Sequence, residues 1–156
     1  MTNHEKNLRE RFMREAVAEA RKAGLAGDVP IGAVIVRDGL IVGRGFNRTE
    51  ADGDPTMHAE MIAIREAAEA VGSQRLTGCS MYVTAEPCVM CAGACILARL
   101  DAVFAGTDSP KSGAGGSVRN ILTSRDFNHA LTYEVGILRE ECAALLKEFF
   151  AELRKR

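Results

Sequence analysis

No stretch of the chain approaches the roughly 18 consecutive apolar residues that a bilayer-spanning helix needs, so a membrane protein is not expected. Neither charge is in surplus: 20 Lys and Arg stand against 21 Asp and Glu, for a formal net charge of −1. That balance excludes a diffuse basic coat for nucleic acid and leaves room only for a local basic patch. Internal repeats, linkers and low-complexity tracts are missing as well. With 156 residues, 47% hydrophobic and 26% charged, the composition is that of an ordinary folded domain, neither disordered nor collagen-like. Residues 1–156 are read as one domain. The opening residues Met1-Thr2-Asn3-His4-Glu5-Lys6 are polar and lead into a charged helix, unlike a secretory leader. A soluble, cytoplasmic protein is the expectation.

A disulfide framework is also lacking. The cysteines number five (Cys79, Cys88, Cys91, Cys95 and Cys142), an odd count in a chain too large to need such staples. Three of them crowd between positions 88 and 95, which points to a metal or a reactive thiol.

The order of elements can be read from periodicity and turn residues. Leu8, Phe12, Met13, Ala16, Val17 and Ala20 recur at helical spacing, and Gly24 is placed to stop that helix. Pro30–Val36 and Leu40–Phe46 are β-rich and flank Asp38-Gly39, a strong hairpin signal. Residues 47–57 read as a loop, and a helix follows from about His58 to Val71, closed by Gly72. Ser80–Thr84 reads as a strand, Pro87 to about Arg99 as a helix, Asp101–Gly106 as a strand, and 107–117 as a Gly-rich loop. A further strand is expected at 131–135. A last helix carries Leu138, Cys142, Leu145, Leu146, Phe149, Phe150 and Leu153 on one face. This order predicts an α/β fold, a mixed sheet of about five strands between helices on both faces. The helix after Cys88 is apolar all round, so it is either buried centrally or covered on one side by another subunit.

Three pieces carry chemistry: His58-Ala59-Glu60, Pro87-Cys88 and Cys91, with each cluster at a predicted helix start. Residues three apart share a helix face, so the Cys88 and Cys91 thiolates can converge, and the helix N-terminus stabilises thiolates. One imidazole and two thiolates suit Zn²⁺, and three protein ligands leave the fourth position open, as in catalytic zinc sites. Zinc lowers the pKa of a water to about 7. Glu60, two residues after His58, is the expected general base. Cys95 lies on the same stripe but a turn deeper, and reads as a buried structural cysteine. His129 follows Asn128 in a loop, where it either touches substrate or caps a turn.

His58-Ala59-Glu60 with Pro87-Cys88-x-x-Cys91 resembles the signature of the zinc-dependent cytidine deaminase superfamily. Within it the chain is most similar to the bacterial tRNA adenosine deaminases that modify the wobble base. The likeness rests on Val29-Pro30-Ile31-Gly32-Ala33-Val34, Asn47-Arg48, Asp54-Pro55-Thr56-Met57, Lys111-Ser112-Gly113-Ala114-Gly115-Gly116-Ser117, Phe127-Asn128-His129 and 141–150. The resemblance implies a three-layer α/β/α cytidine deaminase-like fold, one Zn²⁺ per subunit on His58, Cys88 and Cys91, and Glu60 as proton carrier. It further implies Asn47 as a base-recognising amide, Val29 and Pro30 as pocket walls, and Ala59, Ser109, Lys111 and His129 as candidate substrate contacts. The implied substrate is a tRNA anticodon stem-loop, the implied reaction adenosine to inosine, and the implied assembly a homodimer. Two positions depart from the family's habit: Ser109, where an acidic residue is frequent and Asp108 is the neighbouring substitute, and Ala85, where leucine is common.

Positive charge for RNA has candidates in Lys111, Arg119, Arg154, Lys155 and Arg156, and Phe149 or Phe150 can stack on a base or join the core. A deaminase of a free base or nucleoside, of guanine or cytidine type, would share the same metal site. A zinc-stabilised binding module without catalysis is disfavoured by Glu60 and the missing fourth ligand.

Overall fold

A computed structural model describes residues 1–156. Helix α1 (Asn3–Leu25) starts at a reciprocal cap, in which Glu5 N–H donates to the Thr2 hydroxyl and Thr2 N–H to the Glu5 carboxylate. Strands β1 (Gly32–Arg37) and β2 (Leu40–Phe46) form the expected hairpin. Asp38 and Gly39 both take positive φ, as a two-residue turn of this kind requires. A short helix α2 (Thr49–Asp52) precedes α3 (Ala59–Val71), which ends on left-handed Gly72. Then follow β3 (Cys79–Ala85), α4 (Val89–Leu97), β4 (Ala102–Thr107), β5 (Thr132–Val135) and α5 (Arg139–Arg154).

The sheet runs β2-β1-β3-β4-β5, antiparallel through β3 and parallel from β3 to β5. Period-two alternation sorts the strand side chains between two cores. Ala33, Ile35, Met81, Val83, Val103 and Ala105 face α3 and α4. Val34, Val36, Tyr82 and Phe104 face Phe12, Met13, Ala16 and Val17 of α1 and Cys142 of α5. The fold is therefore three layers with a five-stranded mixed sheet in the middle, as expected.

Three details differ from the reading of the sequence, and a fourth decides between alternatives it left open. Helix α1 runs through Gly24 to Leu25, and Gly27 instead takes the left-handed conformation; Gly24 lies against Pro30. The 47–57 loop contains α2, whose start is capped from a distance by Asp28. Of the two alternatives for α4, central burial is not what the chain shows: Val89 and Leu97 are 66% and 80% exposed. The apolar stripe of α5 is only partly covered, since Cys142 alone is fully buried while Phe150 and Leu153 are exposed.

The packing that places α3 is unusually close. A Cβ at Gly45 would lie 2.2 Å from the Ala59 carbonyl oxygen, and one at Gly43 would lie 2.3 Å from that of Ala63. The small Ala59, Ala63 and Ala67 line the facing side of α3, so helix backbone rests directly on strand backbone. Gly45→Ala is expected to destabilise the protein by about 1–3 kcal/mol, measured by urea denaturation. Zinc occupancy should fall with it, because Ala59 sits between His58 and Glu60.

Candidate metal centre and its pocket

The site forms at the carboxyl ends of the parallel pair β3 and β4, the usual place for ligands in α/β sheets. His58 is the N-cap residue of α3, and Cys88 is the N-cap residue of α4 with Pro87 just before it. Cys91 follows in the first turn. The His58 Nδ1 atom lies 3.6 Å from Cys88 Sγ and 3.5 Å from Cys91 Sγ, and the three ligand atoms fall within 4.8 Å of one another. Tetrahedral bonds of about 2.0 Å to nitrogen and about 2.3 Å to sulfur separate those atoms by about 3.5 Å. The donor set and its spacing therefore fit zinc with a fourth position open. Cys95 is fully buried in the core and stands outside this group, as expected.

The thiols are electrostatically unequal. A hydrogen bond from Cys91 pulls the Cys88 thiol down to about 4 against the opposing effect of burial, with His58 helping. The same bond, with burial, pushes Cys91 far up. A metal held by both sulfurs would take them as thiolates. Glu60, in the first turn of α3, is 4% exposed, and burial pushes its carboxyl up to about 7.

Glu60 lines a cavity of about 90 Å³ together with Ile31, Asn47, His58, Ala59, Ala85, Glu86, Cys88, Ser109 and Ser112. Asn47 is held on both ends of its amide: Nδ2 donates to the Val29 carbonyl at 3.3 Å, and Oδ1 accepts from Thr49 N–H at 3.4 Å. One donor and one acceptor site remain for a ligand edge. The cavity shares Ile31, Ala85, Ser109 and Ser112 with a groove of about 700 Å³ between the 107–112 loop and α5. Val29, Lys111, Leu146, Lys147, Phe150 and Arg154 line that groove.

Of the expected substrate contacts, Asn47, Ala59 and Ser109 line the cavity, and Val29 and Lys111 the groove. Pro30 and His129 do not join them. In the extended segment before β1, alternate side chains point opposite ways, so Val29 and Ile31 face the site. Pro30 turns instead toward α1 and a second groove with Leu145 and Phe149. His129 Nε2 donates to the Leu100 carbonyl at 2.7 Å, at the far end of β4, beside Arg75 and Arg99. Arg119 is exposed and donates to the Val118 carbonyl. Arg156 faces the second groove. Asp108, the neighbour of Ser109, is engaged by Arg139 at 2.7 Å.

Sequence reasoning missed Ile31, Glu86 and Ser112 as lining residues, and Asp28 as a support. The buried Asp28 carboxylate accepts from Thr49 Oγ1 and from Glu50 and Ala51 N–H, pinning the segment after Asn47. Burial opposes ionisation of Glu86, but N–H donors from Ser109, Ser117 and Gly115 and the Ser117 hydroxyl outweigh it and hold that carboxyl below its ordinary value.

Comparison with known proteins agrees with this geometry. The family model for the cytidine and deoxycytidylate deaminase zinc-binding region matches residues 6–107, a span that includes all three candidate ligands and Glu60. The chain belongs to that deaminase family. It is 47% identical over 147 residues to a tRNA-specific adenosine deaminase of Bacillus subtilis (strain 168), covering 94% of this chain and 91% of that one. Against the tRNA-specific adenosine deaminase of Aquifex aeolicus (strain VF5) it is 43% identical over 146 residues, covering 94% and 96%. A chain solved in a structural study of A-to-I editing by tRNA:A34 deaminases at the wobble position superposes with a TM-score of 0.82 at 43% identity, covering 87% of this chain and 99% of that one. A guanine deaminase from Nitrosomonas europaea superposes at 0.80 but with 25% identity, covering 91% and 84%. Deaminases of different substrates thus share this fold closely.

Elemental analysis of the purified family member should find one zinc per chain. Cys88→Ser and Cys91→Ser should each lose most of it, because one thiolate of the trio is gone. Cys95→Ala should keep full occupancy.

Proposed function

We propose that this protein hydrolyses adenosine to inosine at the wobble position of a tRNA anticodon stem-loop. The observation that carries the reading is the joining of two spaces: a small cavity holding Glu60 beside the His58, Cys88 and Cys91 cluster, and a long groove leading from it that is lined by Lys111, Lys147 and Arg154. A free base needs only the first space, whereas a flipped-out nucleotide on a polyanionic strand needs both. The relatives at 43–47% identity, named for tRNA-specific deamination, support the same reading. A guanine or nucleoside deaminase is the second reading, and its structural neighbour stands at 25% identity.

His58, Cys88 and Cys91 would hold the zinc, which when bound supplies a Lewis acid that makes water a nucleophile near neutral pH. Glu60 takes a proton from the attacking water and returns it to the leaving amine at C6, so that water enters and ammonia leaves. Its burial keeps bulk water from competing for that proton. Asn47 offers its free N–H and lone pair to the purine edge, oriented by Val29 and Thr49. Ser109 and Ser112 stand at the opening, and Lys111 faces the strand entering the groove. Phe150, 40% exposed on the groove wall, presents a ring on which a neighbouring base can stack.

We read residues 1–156 as a single deaminase domain, since β5 and α5, beyond the matched region, complete the same sheet and core. No helix is long and apolar enough to cross a membrane, and the tRNA substrate proposed above supports a cytoplasmic location. The exposed Val89 and Leu97, with Gly93 between them on the outer face of α4, support a homodimer through that face.

Two measurements test these readings. Glu60→Gln should keep its zinc and its affinity for a hairpin with adenosine at the wobble position. Its inosine yield, by mass spectrometry, should fall by about 10²–10⁴-fold; an unchanged yield removes Glu60 from proton transfer. The double variant Val89→Asp, Leu97→Asp should weaken self-association by about tenfold or more in sedimentation velocity. Unchanged association moves the interface elsewhere.

A further inference from the structure

We propose that Glu86 is a positioning residue for the substrate: its buried carboxylate holds the 108–117 loop in the shape that walls both the cavity and the groove. The inference deepens the proposed reaction and rests on it for its kinetic test. Glu86 is 4% exposed, at the end of β3 and two residues before Cys88. Its carboxylate accepts from Ser109 N–H at 3.0 Å, Gly115 N–H at 2.8 Å and Ser117 N–H at 3.0 Å, and from the Ser117 hydroxyl. Its carbonyl accepts from the Ser109 hydroxyl at 2.9 Å. None of these partners is a cation, so the charge is satisfied by the loop alone. A carboxylate is acceptor-only, and no neutral side chain of that size offers acceptors to four donors at once.

The Gly-rich loop is shaped around this group. A Cβ at Gly113 would stand 2.3 Å from the Glu86 carboxyl carbon and from Oε1. On the other side the Tyr133 ring fills the place of a Cβ at Gly115, at 2.6 Å. The loop is therefore clamped between an acid and an aromatic ring, and its glycines answer to those two contacts. The clamp fixes the two residues that reach the cavity mouth, Ser109 and Ser112, and the stretch to Lys111 that lines the groove. Glu86 also lines the cavity itself, but the hydrogen bonds of its carboxylate all run to the loop. Its effect on substrate thus passes through the loop.

The experiment compares zinc-loaded wild type, Glu86→Gln and Gly113→Ala on the wobble-adenosine hairpin. In Glu86→Gln an amide N–H₂ meets donors, and in Gly113→Ala a methyl group displaces the acid. Both should raise KM by about tenfold, change kcat by less than about threefold, and keep one zinc per chain. Glu86→Asp, which remains acceptor-only, should recover part of the loss. Hydrogen exchange should show the Ser109, Gly115 and Ser117 amides losing protection in Glu86→Gln. Wild-type KM in a zinc-loaded, active Glu86→Gln enzyme overturns the inference, as does a fall in kcat at constant KM. If Glu86→Gln does not fold, Ser117→Ala removes a single donor and should raise KM by about threefold; an unchanged KM overturns the inference equally. If wild type forms no inosine, the reading of the reaction has failed, and the exchange measurement still decides whether Glu86 holds the loop.

Discussion

The close seating of α3 on β2 is the contact from which the rest of the site follows. Helix and strand backbones meet where Gly43 and Gly45 face Ala59 and Ala63, with no side chain between them. This fixes the depth of the N-terminus of α3 relative to the sheet. His58 and Glu60 are at that N-terminus, and they meet a cysteine pair delivered by an independent element, the turn from β3 into α4. Separations of 3.5 and 3.6 Å between imidazole nitrogen and the two sulfurs leave little tolerance. A shift of one ångström in α3 would spoil the trio without disturbing any residue in it. The glycines and alanines thus serve the metal centre although none of them touches it.

The second constraint concerns charge. The chain is nearly neutral, so a polyanionic substrate has to be met by placement. Lys111, Lys147 and Arg154 come from a loop and a helix far apart in sequence, and the fold sets them along one groove. Elsewhere cations are spent on internal pairs, as in Arg139 with Asp108 and Arg44 with Glu15 and Glu19. The groove cations carry none of the salt bridges found in the structure, so they remain available to phosphates.

What was legible in the sequence was whatever is governed by local chemistry. The Asp38-Gly39 hairpin, the stop at Gly72 and the cysteine pair at a helix start all follow from neighbours within a few residues. What was not legible depends on partners distant in the chain. Gly24 looks like a helix stop, but Pro30 packs against it and α1 continues. Glu86 reads as one more acid before a Pro-Cys pair, and only the return of residues 109–117 gives it four donors. Pro30 and Ile31 are adjacent, and strand alternation sends them to different grooves, which a motif match cannot resolve. The stripe on α5 has the right period for a core helix, yet Leu146 and Phe150 face one groove while Leu145 and Phe149 face another.

Helix α4 brings these requirements together on one short element. Its inward residues, Cys91, Ala92 and Cys95, are buried against the core, and its N-cap and first turn carry the two candidate sulfur ligands. Its outward residues, Val89 and Leu97, are apolar and exposed. A helix of nine residues is too short to be stable by its own hydrogen bonds, so its position is set by what packs on it. The core holds one side, the cluster with His58 holds the N-terminus, and only the outer face is left free. A second copy covering that face would remove apolar surface from water and restrain the helix that supplies two of the three candidate ligands. Assembly and metal binding would then stabilise the same element, and loss of either would loosen the other.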